Sequence, residues 1–163
     1  MSEVDIDNAI IGLAVVPPRP STGAATNFKT QMFLKVEEAS KNTAIAIVAP
    51  SYLPGATHLI DVAVARGPIE VVALTYEDTP RGSTCYLVET VLGDSKERHL
   101  SVGDSIEALS IGGRKAAVVE LGGDASRNGP YQTTLVWAAG ELLLQLTGIG
   151  VTRSELIKIA ESI

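Results

Sequence analysis

Apolar residues recur along this chain in two rhythms, and the switch between them outlines the elements. Residues 59–66 alternate, with Ile60, Val62 and Val64 on one side and Leu59, Asp61, Ala63 and Ala65 on the other. A period of two predicts a half-buried strand. Residues 69–76 alternate again, setting Val71, Ala73 and Thr75 against Val72, Leu74 and Tyr76. Arg66-Gly67-Pro68 separates the two runs, residues 78–82 form the next turn, and 84–91 follow as a third strand. Turn-forming Gly, Pro and Asp at these breaks predict an antiparallel meander. Two tighter hairpins come later. Residues 105–111 and 114–121 meet at Gly112-Gly113, and 132–138 and 141–147 meet across Ala139-Gly140. Two-residue connections rich in glycine are strong short-range hairpin signals.

The helical rhythm appears twice. Over residues 32–41, Phe33, Val36 and Ala39 or Ser40 share a side while Glu37, Glu38 and Lys41 face outward. At the C-terminus Thr152 reads as an N-cap with Glu155 three residues on, the pattern of a capping box. Leu156, Ile159, Ala160 and Ile163 then recur at helical spacing, with Lys158 and Glu161 on the far side. So short a helix is marginal in water, so its apolar stripe must pack on the sheet. Between the first helix and the meander, residues 44–48 read as a short buried strand, and Pro50 and Pro54 hold Ser51-Tyr52-Leu53 extended. The pattern therefore predicts an α+β domain. It is a curved, mainly antiparallel sheet of about 7–9 strands with the C-terminal helix on one face and a short helix near 33–41.

The chain's beginning stands apart. Six of the seven residues from 10 to 16 are apolar, and Pro17, Pro18 and Pro20 end that run. Residues 17–27 are linker-like in composition, which divides the chain into an N-terminal segment (1–31) and a main domain (32–163). The apolar run fits a strand added to the sheet or a short helix. Burial is favoured over solvent for so apolar a run.

Composition narrows the function classes. Hydrophobic residues make up 45% and charged residues 20% of the chain, which suits a packed body rather than a disordered one. With four Tyr, two Phe and one Trp, the core must be mostly aliphatic. The net charge is −6 and there is no basic face or arm, which argues against a nucleic-acid partner. The cluster Lys96 to Arg98 includes Glu97 and reads as a solvated turn. No run of about 18 apolar residues predicts a membrane span. Acidic Glu3, Asp5 and Asp7 stand where a signal peptide would be basic. The domain is expected outside the cytoplasm if it is the excised soluble part of a longer protein, and in the cytoplasm if Met1 is its natural start. A single cysteine, Cys85, allows no intrachain disulfide and reads as a small strand residue.

Several stretches carry a family resemblance when taken in order. Glu37-Glu38-Ala39-Ser40-Lys41 leads to Ala49-Pro50-Ser51-Tyr52-Leu53-Pro54. Leu135-Val136-Trp137 and Gly140-Glu141 come later, and the chain closes on residues 154–163, Ser-Glu-Leu-Ile-Lys-Ile-Ala-Glu-Ser-Ile. Over residues 36–163 the chain resembles the bacterial domain of unknown function DUF4367. The resemblance implies a curved antiparallel sheet with helices, similar to lipoprotein-carrier and sigma-regulator sensor domains. It also implies a place outside the cytoplasmic membrane, commonly tethered to it. The chain departs from the pattern in lacking an anchor, and in placing Ala56-Thr57 after Pro54-Gly55 where relatives often have an aromatic. The family offers no catalytic residues to carry over.

The residues themselves supply no reactive set. His58 and His99 have no second ligand at metal spacing, and Arg98 opposes a cation beside His99. No Gly-x-Ser-x-Gly elbow singles out a serine. The polar loop 122–130 lacks the lysine and hydroxyl of a phosphate loop, joins two strands, and has too few oxygen ligands for calcium. Glu37-Glu38 reads as a solvated helix surface, and Asp78 of Glu77-Asp78 as a turn residue bonding nearby backbone. Trp137 reads as core, not as a sugar platform. Catalytic, metal and cofactor residues are accordingly expected to be none. The expected role is a non-enzymatic binding or sensing domain that takes a peptide, lipid or protein partner in the concavity of the sheet. The alternatives are an assembly subunit docking through residues 10–16, homo-oligomers included, and an unrecognised hydrolase.

Overall fold

A computed structural model of the protein describes residues 29–67, 70–91, 106–121 and 132–163. The expected features at residues 10–16, 17–27, 94–99 and 122–130 lie outside these. The described residues build one open, all-antiparallel sheet of eight strands and two helices, an α+β fold. The strands are β1 (Lys29–Phe33), β2 (His58–Arg66), β3 (Glu70–Asp78), β4 (Ser83–Val91), β5 (Ile106–Ile111), β6 (Arg114–Leu121), β7 (Gln132–Ala139) and β8 (Leu142–Ile149). Helix α1 (Val36–Ser40) sits between β1 and β2, and α2 (Arg153–Glu161) closes the chain.

The strand order is β1-β2-β3-β4-β8-β7-β6-β5. Each half of the sheet is thus a four-stranded meander, and the halves join where β4 pairs antiparallel with β8. Register aligns the apolar positions across the whole sheet. One row runs Val62, Leu74, Leu87, Leu146, Leu135, Val118, each opposite the next. All six are essentially inaccessible to water. Burying such aliphatic side chains contributes about 1.5–3 kcal/mol each. Trp137 lies in the adjoining row and is buried, as its strand position predicts. Cys85 is likewise a buried strand residue of this face. The opposite face mixes polar residues, among them Gln145 and a buried hydroxyl pair, Thr134 with Thr147 at 3.0 Å, with a second set of buried apolar ones, Val71, Val119, Val136 and Leu143.

Four local expectations need correction. Residues 32–33 belong to β1, so the first helix is confined to Val36–Ser40. Phe33 pairs across from Val62 and still reaches the core, so a strand satisfies the same apolar demand that suggested a helix. The hairpin of β7 and β8 turns at Gly140 and Glu141, one residue later than expected, with Ala139 opposite Leu142. In β2 a bulge falls at Ile60, between Leu59 and Asp61. An extra residue there inverts the alternation, so Leu59 shares the core face with Val62 instead of opposing it. Residues 44–48 form no strand: nothing between α1 and β2 is regular.

That irregular stretch, residues 42–57, crosses the aliphatic face as a strap. Ile45 is buried in the core, and Ile47, Val48 and Leu53 pack against it. Helix α1 contacts β1 and β2, and α2 contacts β5, β7 and β8. The strap covers the ground between them.

Candidate functional site

Helix α2 is held by its own chemistry. Thr152 accepts the Glu155 amide at 3.3 Å, the N-cap that its sequence predicts. Leu156, Ile159 and Ala160 are buried while Lys158 and Glu161 are exposed. Gly148 lets the helix approach: a Cβ there would stand 2.9 Å from Leu156 Cδ1 and 3.1 Å from Val151 Cβ. Glu155 meets Arg81 at 3.4 Å, and Arg153 reaches Glu107 at 2.9 Å and Glu120 at 3.7 Å. Such surface pairs contribute little.

The strap is held differently. A backbone outside helix or ladder must find partners one group at a time, and this one takes most of them from side chains. Glu70 Oε1 accepts from the Thr43 hydroxyl and, at 3.2 Å, from the Ala44 amide. Glu89 Oε1 accepts the Val48 amide at 2.7 Å. Asp78 Oδ2 accepts the Ala56 amide at 3.3 Å while Oδ1 accepts the Arg81 amide at 3.2 Å. Asp78 is therefore the backbone-bonding residue its turn position suggests. It is also buried, and it ties two separate loops together. Gly55 beside it has φ +57 and a Cβ position only 2.9 Å from Asp78 Oδ2, so a side chain there would be strained and crowded.

The strap's middle is clamped by the end of α2. The Ser51 hydroxyl donates to the Ser162 carbonyl at 2.9 Å, and the Tyr52 amide donates to Ser162 Oγ at 3.1 Å. The Pro-Ser-Tyr-Leu-Pro stretch and the Ala-Glu-Ser-Ile ending are far apart in sequence, and here they are one contact.

Glu89 is the group that pattern reading passed over. It lies on β4 between Val72 and Leu144, with 0% exposure. Its Oε2 has no hydrogen-bond partner among the described residues. The signal was present in the alternation: Cys85, Leu87 and Glu89 share a face at a spacing of two, so a carboxyl had to enter the core. Burial pushes its pKa up to about 8, against the lesser opposing effect of the Val48 amide. Tyr76 is pushed up to about 12, chiefly by burial and then by the charges of Glu89 and Cys85. Burial, and then the charge of Glu155, lift the Cys85 thiol to about 11. At neutral pH all three are in their protonated forms, and a buried neutral thiol is a poor nucleophile.

The remaining candidates stay apart. His58 is exposed at the start of β2 with Nδ1 3.0 Å from the Ala56 carbonyl oxygen, and Glu37 and Glu38 are exposed on α1. His99 lies outside the described residues. Among the described residues no group of three or more His, Cys, Asp or Glu is gathered to hold a metal ion. None of their helices is long and apolar enough to cross a membrane.

A family model described as a domain of unknown function, DUF4367, matches residues 48–163. The match takes in the strap from Val48 onward, seven strands and α2, and leaves out β1 and α1. Comparison with curated proteins and with solved structures gave no match.

Proposed function

The chain belongs to the DUF4367 family, and from that premise we propose that it is a non-enzymatic binding module which receives a single-chain lipid on the aliphatic face beneath the strap. The observation that carries this reading is the unequal cover of that face. One part is a capped helix keyed into Gly148, and the other is an irregular strap fixed by isolated side-chain bonds. Segments with few backbone bonds of their own open at lower free energy than helices and strands packed in the core. The surface under the strap is made of Val and Leu, including Val64, Val72, Leu74 and Leu144, which suits a saturated chain better than a peptide with amides to satisfy. Glu89 supplies one polar group for a head atom entering last.

A strap lock tests the reading. Ser51 and Ser162 are replaced together by Cys, and a fluorescent apolar probe is titrated with and without a lysophospholipid kept below its micelle concentration. Saturable probe binding displaced by the lipid, lost on oxidation and regained on reduction, is the expected result. Probe binding that ignores the lock, or displacement by an apolar peptide but not by the lipid, overturns it.

A further inference from the structure

The strap's central tie is a carboxyl group that the core does not otherwise use. Glu89 is buried among aliphatic neighbours, with Oε1 on the Val48 amide and Oε2 unpartnered. An ionised carboxylate in such a place is far more costly than the neutral acid. The other titratable groups on this face do not compensate it. Tyr76 on β3 and Cys85 on β4 are neutral acids there. Glu70, one row along on β3, is engaged with Thr43 and Ala44, and Arg66 opposite it on β2 is exposed. On α1, Glu37 and Glu38 are exposed, as is Lys41 at the strap's start. Glu155 of α2 pairs with Arg81. No ion pair reaches Glu89 among the described residues. The remaining ties lie toward the strap's ends and at Ser162, so the span around Val48 is the part whose departure would bring water to Glu89.

We propose that Glu89 is a proton-operated latch on the strap. As the neutral acid it holds residues 45–48 against the sheet. On losing its proton to solvent it drives that span outward, which opens the aliphatic face to its ligand, the last step alone resting on the binding reading above. The sign follows from linkage. Glu89 titrates near its ordinary 4.5 when the strap is open and near 8 when closed. Between those values the closed form keeps a proton that the open form has released. The open population therefore rises about tenfold per pH unit across that window and levels off above it. Stability from this group is complete below 4.5 and gone once the pH passes 8.

Amide hydrogen exchange of the full chain from pH 5.5 to 7.5, corrected for intrinsic rates, tests this without any ligand. Failure of lipid binding and failure of the latch are thereby separate results. Val48 is expected to exchange well ahead of Leu156 and Ile159, with protection falling about tenfold per pH unit. In Glu89→Gln, whose side-chain carbonyl still accepts the Val48 amide, that extra pH dependence disappears. Glu89→Leu, read at the Ile45 amide, loses it as well, which covers the case of a poorly folded amide variant. A protection factor for Val48 that is flat with pH overturns the proposal. So does a slope that persists in both variants, or a Val48 amide as protected as Leu156 throughout.

Discussion

Over β5, β7 and β8 the aliphatic face is covered by α2, and over β3 and β4 it is covered by the strap. The helix satisfies its own backbone and spends its side chains on packing: Leu156, Ile159 and Ala160 go inward, with Thr152 capping the first turn. The strap has no such economy. Its amides at Ala44, Val48 and Ala56 end on Glu70, Glu89 and Asp78. The same apolar surface is thus sealed on one side by a self-sufficient element and on the other by one that borrows carboxyl acceptors. One of these acceptors, Glu89, has its pKa raised into the neutral range by burial, so the strap's own opening becomes sensitive to pH.

The sharpest way to break this contrast is to truncate one buried side chain in each cover. Leu156→Ala should destabilise the whole domain by about 2–5 kcal/mol, read as a shift in the urea midpoint. Ile47→Ala, in the partly buried strap, should cost about 1 kcal/mol and act on strap amides before global ones. Equal global losses from the two would erase the distinction. Next in size is pH. Because the folded pKa of Glu89 is raised from 4.5 to about 8, unfolding free energy should fall as pH rises through that window, by about 1.4 kcal/mol per unit. Urea titrations at pH 5 and pH 7 should therefore differ by about 2–3 kcal/mol, and Glu89→Gln should bring the two curves together.

Gly148→Val probes the helix side alone. Forcing a branched side chain against Leu156 and Val151 should cost about 1–3 kcal/mol. The smallest effects come at the helix ends. Thr152→Ala should lower global stability by about 1 kcal/mol through the lost cap. Ser162→Ala removes both the acceptor of the Tyr52 amide and the donor to the Ile159 carbonyl, and should cost about 0.5–1.5 kcal/mol, expressed as faster exchange at Tyr52.

The sequence made the sheet legible because period-two alternation and glycine turns are local signals. It made α2 legible because a cap, a carboxylate three residues on and a helical stripe fall within a dozen residues. Three features were harder to read. The bulge at Ile60 leaves no mark in composition, and it moved Leu59 to the other face. Residues 44–48 are as apolar as a strand, yet every ladder position beside them is taken, so they lie across the sheet instead of joining it. Phe33 shows the converse, an apolar residue assigned to a helix that reaches the core from an edge strand. Of the site, the Pro-Ser-Tyr-Leu-Pro stretch and the closing helix were visible as separate motifs. Their meeting through Ser162 depends on long-range topology, which spacing cannot supply. Glu89 could have been found by asking why a carboxyl sits on the apolar side of its strand.

Native-state hydrogen exchange across a urea series below the unfolding transition tests the unequal cover most directly. The account predicts that Ile45, Val48 and Tyr52 exchange through a low-energy opening nearly independent of urea, while Leu156, Ile159 and the amides of β4 and β8 exchange only with global unfolding. Strap amides that merge with the global class at every urea concentration would contradict it.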